Sequence, residues 1–214
     1  MVAKFGPKRR KIKGPLFSLL FHLEMQSLPD IILPPLKPRE IGTTKAWEKI
    51  ESRLGLPLPP DYKAFIDQYG TGSFDDFIII YNPLAQNEYL NLFYALDVLH
   101  QADQQVQLLG APSWTAVNPF ALYPAPEGLL PWGCTTPAAP LGGTTNLGAT
   151  FFWQIKGPPE TWETIFYNLR SGEYEVWKHT ITEFLFQLFT HQIESVLLPK
   201  DFPQSDEEIK FIPA

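Results

Sequence analysis

The chain predicts an α+β fold, a mainly antiparallel sheet packed with several helices. Three observations carry that expectation. Apolar residues recur at helical spacing in four separate stretches, short β-branched and aromatic runs lie between them, and glycines and prolines stand where helix ends require them. The predicted order is helix, helix, strand, helix, several strands, helix.

Taken in order, residues 1–40 read as a basic and then proline-rich N-terminal extension, with 29–38 extended or laid over the domain. The domain proper spans 41–198. Thr43 or Thr44 caps a first helix whose Trp47, Ile50 and Leu54 share one face and stop at Gly55, which takes the left-handed conformation that closes a helix. A second helix starts at Pro60, where a first-turn proline loses no hydrogen bond, with Asp61 near its positive end. Tyr62, Phe65, Ile66 and Tyr69 form its apolar stripe before Gly70. Residues 77–81 read as a buried strand halted by Asn82-Pro83. Leu92, Leu96, Leu99, Ala102, Val106 and Leu109 predict a third helix ending at Gly110, with glutamines on its outer face. Residues 113–126 are irregular, with a short edge strand around 121–123.

Residues 128–133 open the central sheet and 149–155 form its clearest strand; the stretch between them reads as an insertion. A hairpin follows, from Thr164 to Asn168 and from Tyr174 to Trp177, turning at Arg170-Ser171-Gly172. The last helix begins at Thr180 with Glu183 three residues on, a capping box, and buries Ile181, Phe184, Leu185, Leu188 and Phe189. Residues 199–214 read as an acidic C-terminal tail.

Several of these pieces stand in a recognisable order: the Ile50-Glu51 helix before Leu54-Gly55, then Leu58-Pro59-x-Asp61-Tyr62-Lys63, Tyr69-Gly70-x-Gly72 and Asn82-Pro83, with Leu130-Pro131-Trp132-Gly133 and Phe152-Trp153 further on. The sequence from about Ile41 to His191 resembles the SUKH superfamily, which takes in the fungal Smi/Knr cell-wall regulators and many bacterial immunity proteins. The resemblance implies that Leu58, Pro59, Tyr62, Tyr69, Gly70, Pro131, Trp132, Gly133 and Trp153 are a structural signature.

Composition bounds the function. A single cysteine, Cys134, cannot form an internal disulfide, which favours a reducing, cytoplasmic setting. The six Lys and Arg among residues 1–24, followed by apolar 16–23, imitate a signal peptide, but His22 and Glu24 follow directly and no small-residue cleavage pattern precedes Pro29. That segment reads either as a phosphate-attracting arm or as an upstream extension with Met25 as the true start. Of the net charge of −6, residues 25–214 carry −11, from 11 basic and 22 acidic residues. Between Lys63 and Lys156 there is no Lys or Arg, yet Asp67, Asp75, Asp76, Glu88, Asp97, Asp103 and Glu127 lie there. Such a field repels nucleic acid and attracts a basic protein; its plainer reading is a solvated surface.

Chemistry finds little footing. The four histidines are scattered and Cys134 has no sulfur partner, so no metal site is expected. The glycines around 142–148 lack the lysine of a phosphate loop. Cys134 has no nearby cation to make it a nucleophile. No catalytic residue and no cofactor is expected. The candidate partner-binding residues are Asp75, Asp76, Glu88 and Trp114, the last in a proline-bounded loop; the plainer reading of Asp75-Asp76 is a polar turn before Phe77. The resemblance implies a non-enzymatic protein-binding module, an immunity protein that occludes a basic bacterial toxin domain, often a nuclease. The alternative is a cytoplasmic regulatory or scaffold protein of the Smi/Knr type. Neither nucleic acid nor membrane is an expected partner.

Overall fold

A computed structural model describes residues 27–136, 149–200, 202–203 and 208–214. The first 26 residues of the N-terminal extension expected over 1–40, and the insertion around 137–148, lie outside these residues. Seven strands form one antiparallel sheet in the order β6-β5-β4-β3-β2-β1-β7: β1 is Gly72–Phe74, β2 Ile78–Ile80, β3 Leu129–Thr135, β4 Ala149–Gln154, β5 Glu163–Asn168, β6 Tyr174–Trp177 and β7 Phe211–Pro213. The helices are α1 (Leu28–Ile31), α2 (Thr44–Leu54), α3 (Pro60–Tyr69), α4 (Leu92–Leu108), α5 (Trp114–Val117) and α6 (Ile181–Phe189). The α+β expectation holds.

The helix ends are set by local chemistry. Thr43 accepts the Ala46 N–H, Gly55 closes α2 at φ 76°, and Thr180 and Glu183 form the reciprocal capping box of α6. Strand residues alternate between two cores. Leu130, Trp132, Phe151, Trp153 and Phe166 face a layer built from α2, α3 and α6, while Leu129, Phe152, Ile165 and Tyr167 face the other side with Leu99 of α4. Rings dominate the first core: Phe151 stacks on Phe166 at 4.1 Å and on Trp132 at 4.7 Å.

A proline inside the central strand β3 needs explaining, because it has no N–H for the ladder. The register of β3 against β4 shifts between Pro131 and Gly133, leaving Trp132 in a bulge that turns its ring into the core. Beside it, a Cβ on Gly133 would lie 2.6 Å from the Ile79 carbonyl of β2, so this close approach requires glycine. The Leu-Pro-Trp-Gly block is thus one device for a kinked central strand.

The structure departs from the sequence reading at both ends of the chain. Leu28 and Ile32, expected in an extension, are buried in the main core. Residues 208–214, expected to be an acidic tail, supply the outermost strand β7 against β1. In both cases a short apolar pair inside a polar or proline-rich run completes a face that the neighbouring elements leave open. A third departure concerns α4: Leu92, Leu96 and Leu99 are buried, but Val106 and Leu109 are exposed. The apolar stripe continues beyond the surface that covers it.

Candidate interaction surface

The signature residues turn inward. Tyr62 is fully buried and its hydroxyl donates to the Tyr81 carbonyl at 2.5 Å, while its ring meets Trp153 edge-on at 4.9 Å. The Tyr69 hydroxyl donates to the Ile32 carbonyl at 2.6 Å, which ties α3 to the segment after α1. Gly70 has φ 73°, and a Cβ there would strike the Arg39 carbonyl oxygen at 2.2 Å. Leu58 and Pro59 are buried at the start of α3, where the Glu51 carboxylate accepts from the Leu58 N–H at 3.0 Å and the Lys63 ammonium at 2.6 Å. Partial burial works against ionising Glu51, but Lys63 and the Leu58 N–H outweigh it and hold the carboxyl below its usual range.

Asn82, which the sequence reading took as a strand stop and as part of the family pattern, heads a buried polar knot. Its amide donates to the Glu40 carbonyl at 3.0 Å and to Thr71 Oγ1 at 2.8 Å, and its Oδ1 accepts the Leu84 N–H at 2.9 Å. Thr71 in turn donates to the Glu40 carboxylate at 2.5 Å, whose other oxygen accepts the Gln86 N–H at 2.9 Å. Apart from the local Asn82–Leu84 bond, these contacts join segments 11 to 46 residues apart, which is why no local pattern announced the knot.

Ionisable groups near the core are committed to structure. Burial pushes the Cys134 thiol up, with only a hydrogen bond from Tyr81 working the other way, so the thiolate needed for nucleophilic attack is disfavoured. A groove of about 360 Å³ between α1, α3 and α6 is walled by Leu28, Phe65, Tyr69 and Phe186 and holds the carboxylates of Asp61 and Glu183. Desolvation raises Asp61 although the backbone of Thr182, Tyr62 and Ile181 and the Thr180 hydroxyl donate to it; Glu183 is engaged with the Thr180 N–H. Both acids therefore cap α6 and leave no free pair for acid and base roles. Among the described residues, no group of three His, Cys, Asp or Glu is placed to hold a metal ion. No helix among them is long and apolar enough to cross a membrane.

The structure separates the four candidate partner-binding residues. Asp75 and Asp76 form the left-handed turn between β1 and β2, at φ 48° and 52°, and both are exposed. Asp75 is not free: its carboxylate accepts the Lys210 N–H at 2.9 Å and so fastens β7. Glu88 lies beyond the other end of β2, in the 3₁₀ turn Glu88–Leu90, where the Leu90 carbonyl meets the Asn82 N–H. Trp114 is half-buried instead of displayed; its indole N–H donates to the Phe120 carbonyl at 2.6 Å and its ring lies 5.4 Å from Tyr167.

Of the other acids in the cation-free stretch, Asp67 accepts from the Trp47 indole, Asp103 from the Trp114 N–H, and Glu127 faces Lys156 at 3.4 Å. Glu88 and Asp97, exposed in the 3₁₀ turn and on α4, have no ion-pair partner among the described residues. Asp97 is a residue the sequence reading recorded but did not single out.

A model of the SUKH_6 family, described as SMI1-KNR4 cell-wall, matches residues 44–185. No curated protein and no solved structure matches the chain. The matched span runs from the first residue of α2 into α6 and contains the Leu58-Pro59, Tyr69-Gly70, Asn82-Pro83 and Leu130-to-Gly133 blocks together with Trp153. The chain is a member of the SMI1-KNR4, or SUKH, family.

Proposed function

We propose that this protein is a non-enzymatic binding module that neutralises a basic bacterial toxin domain by covering it. The observation that carries the reading is the cation-free stretch from Ala64 to Ile155, in which Asp76, Glu88 and Asp97 stand exposed without an ion-pair partner among the described residues. An acidic surface that its own chain does not neutralise speeds encounter with a basic partner. Family membership supports it, since SUKH domains often serve as immunity proteins. The acids implicated are Glu88 and Asp97; Asp76 lies at the opposite end of β2 and Asp75 belongs to the β7 anchor.

The test is the association rate, across a range of salt, of a secreted nuclease-type toxin domain encoded beside this gene. The double change Glu88→Lys with Asp97→Lys should slow association at low salt and flatten the salt dependence, with dissociation little altered. An association rate equal to that of the unmodified protein would remove this surface from the docking face. A second reading, a cytoplasmic regulator, is favoured by the cell-wall description of the matching family. It predicts no neutralised toxin at any salt concentration.

A further inference from the structure

Strand β7 sits in a groove whose shape is fixed by residues remote from it in sequence. The Phe211 ring lies 5.1 Å from Tyr69, 5.3 Å from Phe74 and 6.1 Å from Phe65, centroid to centroid. A Cβ on Gly72 would come within 2.4 Å of the Ile212 carbonyl oxygen and 2.6 Å of the Phe211 ring, so the absent side chain is what admits both the strand and its aromatic residue. The backbone is clamped at each end. Asp75 N–H donates to Lys210 O at 3.0 Å, Lys210 N–H to the Asp75 carboxylate, and Ala214 N–H to Thr71 O at 3.0 Å.

The occupant itself is short and buries little of its own surface. It is a three-residue strand whose ring is half-buried while Ile212, Pro213 and Ala214 are exposed. Residues 210 and 214 bond toward β1, so by alternation Phe211 and Pro213 turn their backbone outward, and a proline has no N–H to offer a further strand. Pro213 therefore interrupts any ladder outside β7, and a strand that pairs fully on this side of the sheet must take the place of β7. All the groove residues fall within the span matched to the family, whereas the occupant falls outside it.

We infer that the outer edge of β1 is a strand-docking groove that accepts, from a protein partner, an extended segment with one aromatic residue, and that residues 208–214 fill it in cis. Main-chain pairing with β1 supplies affinity and the Phe65, Tyr69 and Phe74 pocket selects the aromatic side chain. The covalent link gives the cis segment a high effective concentration, so the groove opens only to a partner that outcompetes it. This inference goes beyond the toxin reading and does not depend on it.

The test uses the full chain and a labelled peptide of residues 208–214, followed by fluorescence anisotropy. In the Phe211→Ala chain, where the cis segment has lost its anchor, the peptide should bind at least about tenfold more tightly than to the unmodified chain. The same peptide with its Phe replaced by Ala should not bind. Equal binding of both peptides, or none to a cooperatively folded Phe211→Ala chain, would overturn the inference. So would a stoichiometric dimer of the unmodified chain in which residues 208–214 are exchanged between copies, since the occupant would then be a second copy. If Phe211→Ala fails to fold, hydrogen exchange of the unmodified chain decides: the Ile212 amide should exchange well before those of β4, and equal protection would refute a displaceable strand.

Discussion

Replacing Asn82 by alanine should destabilise the fold more than its modest size suggests. The side chain is wholly buried and makes three hydrogen bonds, to the Glu40 carbonyl, Thr71 Oγ1 and the Leu84 N–H. Thr71 keeps its bond to the Glu40 carboxylate, so two backbone groups, the Glu40 carbonyl and the Leu84 N–H, lose this partner. Each buried group left unsatisfied costs about 1–3 kcal/mol, which places the whole change at about 2–6 kcal/mol. Urea unfolding followed by tryptophan fluorescence is a suitable assay, because Trp47, Trp132, Trp153 and Trp162 are all buried. With a slope of about 1–3 kcal/mol per molar urea, the midpoint should fall by about 1–2 M at constant slope. Asn82→Asp should be no better, since a carboxylate cannot donate to the Glu40 carbonyl. A midpoint that stays within about 0.3 M of the original would refute the reasoning and show that water takes over the amide's bonds.

Three further outcomes are expected. Trp153→Ala, in the densest aromatic cluster, should cost about 3–5 kcal/mol in the same urea assay, and an unchanged midpoint would contradict its place between Tyr62 and Trp162. A chain beginning at Ile41 should lose about 1.5–3 kcal/mol for each of Leu28 and Ile32, besides the Tyr69 hydroxyl's acceptor, whereas one beginning at Met25 should melt within a few degrees of full length by calorimetry. Glu51 and Asp61 act with opposite sign on stability against pH. Glu51, held low by Lys63, contributes stability that is present above its unfolded value of 4.5 and lost as pH falls through its lower folded value, so Glu51→Gln should flatten that acid limb. Asp61, raised by desolvation, contributes most below 3.8 and loses this as pH rises through its folded value, so Asp61→Asn should compare better with the parent at neutral pH than at pH 3.

The helices were legible wherever one residue settles a backbone question. Gly55 can be left-handed, Pro60 needs no N–H partner, and Thr180 with Glu183 satisfies its own helix start. Strand β1 escaped because Gly72-Ser73-Phe74 has neither length nor β-branching; its pairing depends on Ile78 to Ile80 on one side and β7 on the other. The exposed half of α4 shows the limit of periodicity, which reveals a face but not how far its cover extends. Trp114 and Asp75 looked like surface recognition residues because nothing beside them in sequence binds them. A local turn brings the Phe120 carbonyl back to the Trp114 indole, while Tyr167 for Trp114 and Lys210 for Asp75 are brought by the tertiary fold.

The pairing of Gly72 with Pro213 also has a bearing on synthesis. A ribosome completes the groove long before it makes the strand that fills it, so every nascent chain passes through a stage with β1 bare along its outer side. A translation product that stops short of residue 208 would keep that bare edge permanently. It would offer proteases and chaperones an aromatic-lined slot that the finished molecule conceals. Residues 208–214 thus cover this edge only after the elements that form it have been made.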